Sequence, residues 1–125
     1  MSELRLHRFI PYRLSVAANA VSRRISDSYR RRFGLKIAEW RVIAILAENE
    51  RMTPQDIGNK GELDKIAVSR SATALIDRGL LLQQRNPEDG RSHFLQLTPD
   101  GRALYEEIAP AALRLEKELL DRFSK

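Results

Sequence analysis

Apolar positions recur at helical spacing through most of the chain. Leu14, Ala18, Val21, Ile25, Tyr29 and Phe33 follow one another at steps of three or four, which places one apolar stripe on a long helix. Pro11 suits its first turn and Gly34 stops it. A second helix is predicted from about Ile37 to Ala47, with Trp40, Ile43, Ala44 and Ala47 facing inward. Thr53-Pro54-Gln55-Asp56 opens a third. There Thr53 caps, Pro54 takes the first position, and Asp56 meets the positive end of the helix dipole. Gly58 and Gly61 are expected to keep this helix short. Asp64 caps a fourth helix that runs to about Arg78 and is terminated by Gly79.

The period then changes. Leu80 to Arg85 is apolar and extended, and Asn86-Pro87-Glu88-Asp89-Gly90 is dense in turn residues. His93 to Thr98 alternates as a strand, so the two segments read as a β-hairpin with a long tip. Thr98-Pro99-Asp100 caps a last helix whose stripe is Leu104, Ile108, Ala112, Leu115, Leu119 and Phe123. Pro110 is expected to kink or split it. Residues 1–10 read as an extension with no assigned structure. No internal repeat, low-complexity tract or linker interrupts the pattern, and a single domain over residues 1–125 is expected.

Composition narrows the class. The chain is 42% hydrophobic and 31% charged, a globular balance that can bury a core. No apolar run is long enough to cross a bilayer, and no signal-peptide pattern opens the chain, so a cytoplasmic protein without membrane contact is expected. The absence of cysteine excludes disulfides and thiolate chemistry. The net charge is +5, and 17 of the 22 basic residues are arginine, the side chain that grips phosphate with two prongs. His7 and His93 are isolated and suggest no metal, and no cofactor is expected. No nucleophile with a base and an orienting group is visible, nor a phosphate loop after a strand, so an enzyme is not expected.

A short helix, a tight turn and a capped helix form a helix-turn-helix, and a hairpin directly after it forms a wing. The major groove of DNA admits one α-helix, read from its N-terminal part. At ~100° per residue, Val68, Ala72, Leu75 and Gly79 share the packing face of the fourth helix, with Ala72 and Gly79 small enough for close contact. Ile66, Arg70, Thr73 and Asp77 share the opposite face, and Lys65, Ala67 and Ser69 flank its first turn. Arg70 suits guanine, Ser69 and Thr73 suit base or phosphate, and Ile66 suits a thymine methyl. At the wing tip Arg91 suits a narrow minor groove, with Asp89 holding its guanidinium. Each feature also has a bland reading, as a solvated helix face or an ordinary polar turn.

Several of these pieces concur with one family. Ile37-Ala38-Glu39-Trp40-Arg41-Val42, Asp64-Lys65 with Val68-Ser69-Arg70, Leu75 with Arg78-Gly79-Leu80, Asp89 and Arg91, then Leu97-Thr98 and Gly101 stand in its order and spacing. By these motifs the chain resembles the MarR (multiple antibiotic resistance regulator) family over roughly residues 12–123. The resemblance implies a mainly α fold with a small β-hairpin wing: a winged helix-turn-helix over 35–98, flanked by dimerisation helices at 11–34 and 99–125. It also implies a homodimeric transcriptional regulator in which the fourth helix is the recognition helix and Arg91 the wing arginine. Many such proteins release DNA when a small phenolic or anionic compound binds between the two parts. The family usually adds one more helix to the dimer interface, whereas this chain stops at Lys125.

The two long stripes independently call for a partner, because three short helices of one chain cannot cover them. A two-fold partner can, and its DNA site is then a pseudo-palindrome. Tyr12, Arg13 and Trp40 are candidate ligand-pocket residues, although Trp40 reads first as a core residue. Arg23-Arg24 and Arg30-Arg31-Arg32 read as a solvated face, the latter three also favoured by the helix C-terminal dipole. The alternatives are a regulator without ligand response and a winged-helix module that binds protein. An apolar, acidic fourth helix would favour the protein module, and this chain lacks one.

Overall fold

The structure, a computed structural model, describes residues 3–88, 90 and 92–123. A short 3-10 turn at Leu6–Arg8 precedes five helices and one hairpin. The helices are α1 (Ile10–Phe33), α2 (Ile37–Glu48), α3 (Pro54–Gly61), α4 (Lys65–Asp77) and α5 (Pro99–Phe123). Strands β1 (Leu81–Arg85) and β2 (His93–Leu97) pair antiparallel, with Leu81 opposite Leu97 and Arg85 opposite His93. The hairpin does not hang free. Met52, in the α2–α3 connection, exchanges two backbone hydrogen bonds with Leu95, at 3.1 and 2.8 Å.

The core lies where α2, α3, α4, the hairpin base and the middle of α5 converge. Leu35, Ile43, Leu46, Ile57, Leu75 and Ile108 are fully buried there. α1 reaches this core at its C-terminal end, through buried Tyr29 and half-buried Ile25 and Phe33. Towards its N-terminus Leu14 and Val16 stand exposed.

Several details differ from the sequence reading. The inward face of α2 carries Val42, Ile43 and Leu46, while Trp40, Ala44 and Ala47 are only half-buried. Glu39 is buried because its carboxylate caps the helix, accepting from the Lys36 amide at 2.7 Å. Gly58 does not interrupt α3. The helix is short as expected, at eight residues, but Gly58 lies inside it, Gly61 is its last residue, and Glu62 takes the left-handed conformation that ends it, at φ 53°. Gly79 does not pack against α3. It is exposed and left-handed, with open space where a side chain would be, so its role is to turn the chain out of α4. α5 runs through Pro110 as one helix.

Arginines close three helix ends. Arg78 donates to the carbonyls of Gly34 and Phe33, Arg102 to that of Ala47, and Arg41 to that of Gly61. The last carbonyls of a helix lack intrahelical partners and carry its negative dipole end, so a cation there is doubly favoured.

Candidate nucleic-acid interface

Local chemistry sets the two helices of the motif. Thr53 Oγ1 accepts from the Asp56 amide at 3.2 Å, and Pro54 follows at the first position of α3. Asp64 Oδ1 accepts from the Ala67 amide at 2.7 Å and so starts α4. The turn between them is tight. The Leu63 amide donates to the Gly58 carbonyl at 2.9 Å. A Cβ on Gly58 would sit 2.9 Å from the Leu63 oxygen and 3.4 Å from Val68 Cγ2. Gly58 therefore admits the close approach of α3 and α4 that fixes their angle.

Val68, Ser71 and Leu75 form the buried face of α4. Ser71 was absent from the predicted packing face; its small side chain lies on the same helical stripe. Lys65, Ile66, Ser69, Arg70 and Thr73 are exposed, with Ile66 63% exposed, and Ala67 is half-buried. Lys65 and Arg70 pair with no carboxylate among the described residues. An exposed isoleucine beside unpaired cations on the first turns of a helix leaves both an apolar contact and charge free for a ligand.

Three of these side chains, Lys65, Ser69 and Thr73, border a groove of about 640 Å³ between α3, α4 and the hairpin. Lys65, Ser69 and Thr73 lie on one side, Pro54, Gln55 and Asn59 on the other, and Gln83 of β1 at one end. The floor is apolar, with Leu63, Val68, Ala72, Ile76 and Leu95. Ile66, Ala67 and Arg70 lie outside this lining. Gln55, Asn59 and Gln83 were not singled out from sequence. The i, i+4 spacing of two amides on a short exposed helix was the available signal, since Asn and Gln are the side chains that match adenine.

The hairpin tip is shaped by Asn86. Its amide donates to the Ser92 carbonyl at 3.1 Å, its Nδ2 to Ser92 Oγ at 2.9 Å, and its Oδ1 accepts from the Glu88 amide at 3.0 Å. Gly90 is exposed on the turn. Asp89 and Arg91 lie outside the described residues.

The predicted ligand residues are not brought together within one chain. Trp40 sits between two tyrosines, 5.4 Å from the Tyr29 ring and 5.9 Å from Tyr105, stacked on the latter. Burial raises the pKa of Tyr29. Tyr12 and Arg13 are exposed on the first turns of α1. At 1.5 Å per residue, Tyr12 lies ~26 Å along the helix from Tyr29.

A capped helix-turn-helix with a bolted hairpin behind it defines a winged helix-turn-helix protein. The comparisons specify the family. A profile of the MarR family matches residues 33–92. The crystal structure of a MarR/EmrR family transcriptional regulator from Acinetobacter sp. ADP1 superposes with a TM-score of 0.83 at 31% identity, covering 96% of this chain and 84% of that one. The HTH-type transcriptional regulator FarR of Neisseria gonorrhoeae is 36% identical over 70 residues, 56% of this chain; the chain spans about half of FarR's length, 48%. Bordetella bronchiseptica BpsR, whose DNA binding is regulated by 6-hydroxynicotinic acid, shares the fold with a TM-score of 0.86 at 24% identity, covering 94% and 84% of the two chains. The chain belongs to the MarR family of DNA-binding transcriptional regulators. Among the described residues no helix is long and apolar enough to cross a membrane.

Proposed function

We propose that the protein is a homodimeric, cytoplasmic repressor that grips a pseudo-palindromic operator. α4 enters the major groove through Lys65, Ile66, Ala67, Ser69, Arg70 and Thr73, and the wing brings Arg91, oriented by Asp89, to the minor groove. In this reading residues 35–98 read DNA, while 11–34 and 99–125 pair the subunits. The observation that carries this reading is the exposed, unpaired first half of α4 beside the polar rim of the groove. Selection from a random duplex pool tests it. Recovered sites should carry inverted half-sites about one helical turn, ~10 bp, apart. Recovery of no common sequence, or of single half-sites, would overturn it.

A small phenolic or anionic effector that releases DNA is supported by BpsR, a fold relative regulated by an aromatic acid. Tyr12, Arg13 and Trp40 are the candidate contacts, with Tyr12 and Arg13 supplied across the dimer if they meet Trp40 at all. A second reading, regulation without an effector, is favoured by the packing of Trp40 between Tyr29 and Tyr105, tilted to the first and stacked on the second, where α1, α2 and α5 meet. Titrating salicylate-like and pyridine carboxylic acids, with Trp40 fluorescence and DNA release followed together, separates the two.

A further inference from the structure

The C-terminal end of α4 is attached at two points, and each attachment leads to a different long helix. The first is Arg78. Its Nη1 donates to the Gly34 carbonyl at 3.2 Å and its Nη2 to the Phe33 carbonyl at 3.3 Å, across 44 and 45 positions of sequence. These carbonyls close α1, which ends in a left-handed Gly34 whose amide donates back to Arg30 at 3.1 Å. The second is Thr98. Its hydroxyl donates to the Gly79 carbonyl at 2.6 Å and accepts from the Gly101 amide at 3.0 Å, while its amide donates to the Leu80 carbonyl at 3.1 Å. Gly101 lies so close to the Leu80 backbone that a Cβ there would collide with the Leu80 carbonyl oxygen.

Packing of Val68, Ser71 and Leu75 fixes α4 within the helix-turn-helix, so these two attachments govern how that unit as a whole is tilted against the long helices. The lever is long. Lys65 and Arg78 are 13 residues apart, so the reading end of α4 lies ~20 Å from its tether. A tilt of about 10° moves that end by ~3.4 Å, the rise of one base pair. The planar fork of arginine holds two carbonyls in one geometry, which a lysine ammonium does not.

We propose that Arg78 is a positioning residue that holds α4 at a set angle to α1, and thereby sets the half-site spacing the dimer accepts. Arg78 itself touches no DNA in this scheme. The inference rests on the dimeric operator-binding reading above. It assigns to an exposed arginine a role that a basic surface charge would not have. Because the side chain is exposed, its removal opens no cavity in the core.

The test uses the full chain and a set of duplexes with one half-site sequence and spacers changed by one or two base pairs. The wild type should bind one spacer well and the shifted ones poorly. In Arg78→Ala the penalty for a shifted spacer should fall by about tenfold, the scale of one or two lost hydrogen bonds. Base preference within each half-site and the dimer mass should stay as in the wild type. Arg78→Lys, which keeps the charge but not the fork, should fall between them, and it keeps the test decisive if Arg78→Ala melts early. Spacer profiles parallel to the wild type in both variants, at equal or uniformly lower affinity, overturn the inference while leaving operator binding intact. A wild type that binds single half-sites as tightly as pairs overturns the dimeric reading and this inference with it.

Discussion

Two regions of the molecule treat the same kinds of side chain in opposite ways. Between Leu35 and Leu95 the large aliphatic residues converge, and Leu35, Val42, Ile43, Ile57 and Leu75 are fully buried. Along the long helices several stand in solvent: Ile10 and Leu14 on α1 are each 65% exposed, and Leu113 on α5 is 66% exposed, although Leu119 of α5 is buried. The N-terminal segment adds Leu4, Leu6 and Phe9 to that exposed set. Exposed large apolar side chains in such number are what an interaction surface supplies. The helix-turn-helix half thus carries its own core within one chain, whereas in the proposed dimer the exposed apolar side chains of the long helices are covered by a second copy. The same division explains why the chain's stripes are longer than its core.

The sharpest way to break this comparison is to damage the self-contained half. Leu75→Ala should destabilise the protein by about 2–5 kcal/mol, the usual cost of a large-to-small change with its cavity. Urea unfolding monitored by circular dichroism measures it. A cost under 1 kcal/mol would mean that the region is not an independent core.

The second change strikes the other region. Leu14→Glu with Leu113→Glu should separate the proposed dimer while the helix-turn-helix stays folded. Each leucine forgoes about 1.5–3 kcal/mol of burial, and like charges would then face one another across the two-fold axis. Sedimentation should show monomers with wild-type helicity. A dimer of undiminished stability would place the interface elsewhere.

Smaller effects sharpen the boundary of the DNA-reading surface. Arg70→Ala should cost about 1–3 kcal/mol of affinity and relax preference at one base if Arg70 reads guanine. Gln55→Ala should do the same at a different base, because it borders the groove from α3. Neither should alter the melting temperature, since both side chains are exposed. Uniform loss across sequences would make them phosphate contacts instead. Arg91→Ala should lower the magnitude of the salt slope by about one, read from binding isotherms at several salt concentrations.

The helices, the hairpin and the exposed face of α4 were legible because each rests on local signals: caps at Thr53 and Asp64, a period of 3.6, and turn residues at Asn86 to Gly90. What was not legible depended on distance in sequence. Gly58 reads as a helix breaker until Leu63 and Val68 are seen against it. Glu62 carries no mark of a left-handed residue, yet it closes α3. Charge was misread in part for the same reason. Arg41, Arg78 and Arg102 count toward a DNA-binding total in the sequence, whereas the fold uses them to close helix ends 20 to 55 positions away. The family motif Arg78-Gly79-Leu80 with Thr98 and Gly101 was recognised as spacing; its physical content is the joint between α4, α1 and α5.

The smallest effect tests the seam where the two regions meet. Tyr29 belongs to α1 but is buried in the core of the reading half, against Trp40. Burial disfavours the phenolate and raises its pKa above the ordinary 10.0. In the unfolded chain the phenol ionises near that ordinary value, so above it the folded state holds the proton that the unfolded state has lost. Stability then falls as pH rises. The contribution is fully present below pH 10 and is lost between the unfolded and the folded pKa. Tyr29→Phe has no proton to lose there, so its stability should decline less steeply above pH 10, while near neutral pH the two proteins should differ little by this effect. Denaturation midpoints of both proteins across pH 8 to 11 provide the measurement. Parallel curves for the variant and the wild type would show that Tyr29 ionises as freely in the fold as outside it, and that α1 is not sealed onto the core at this point.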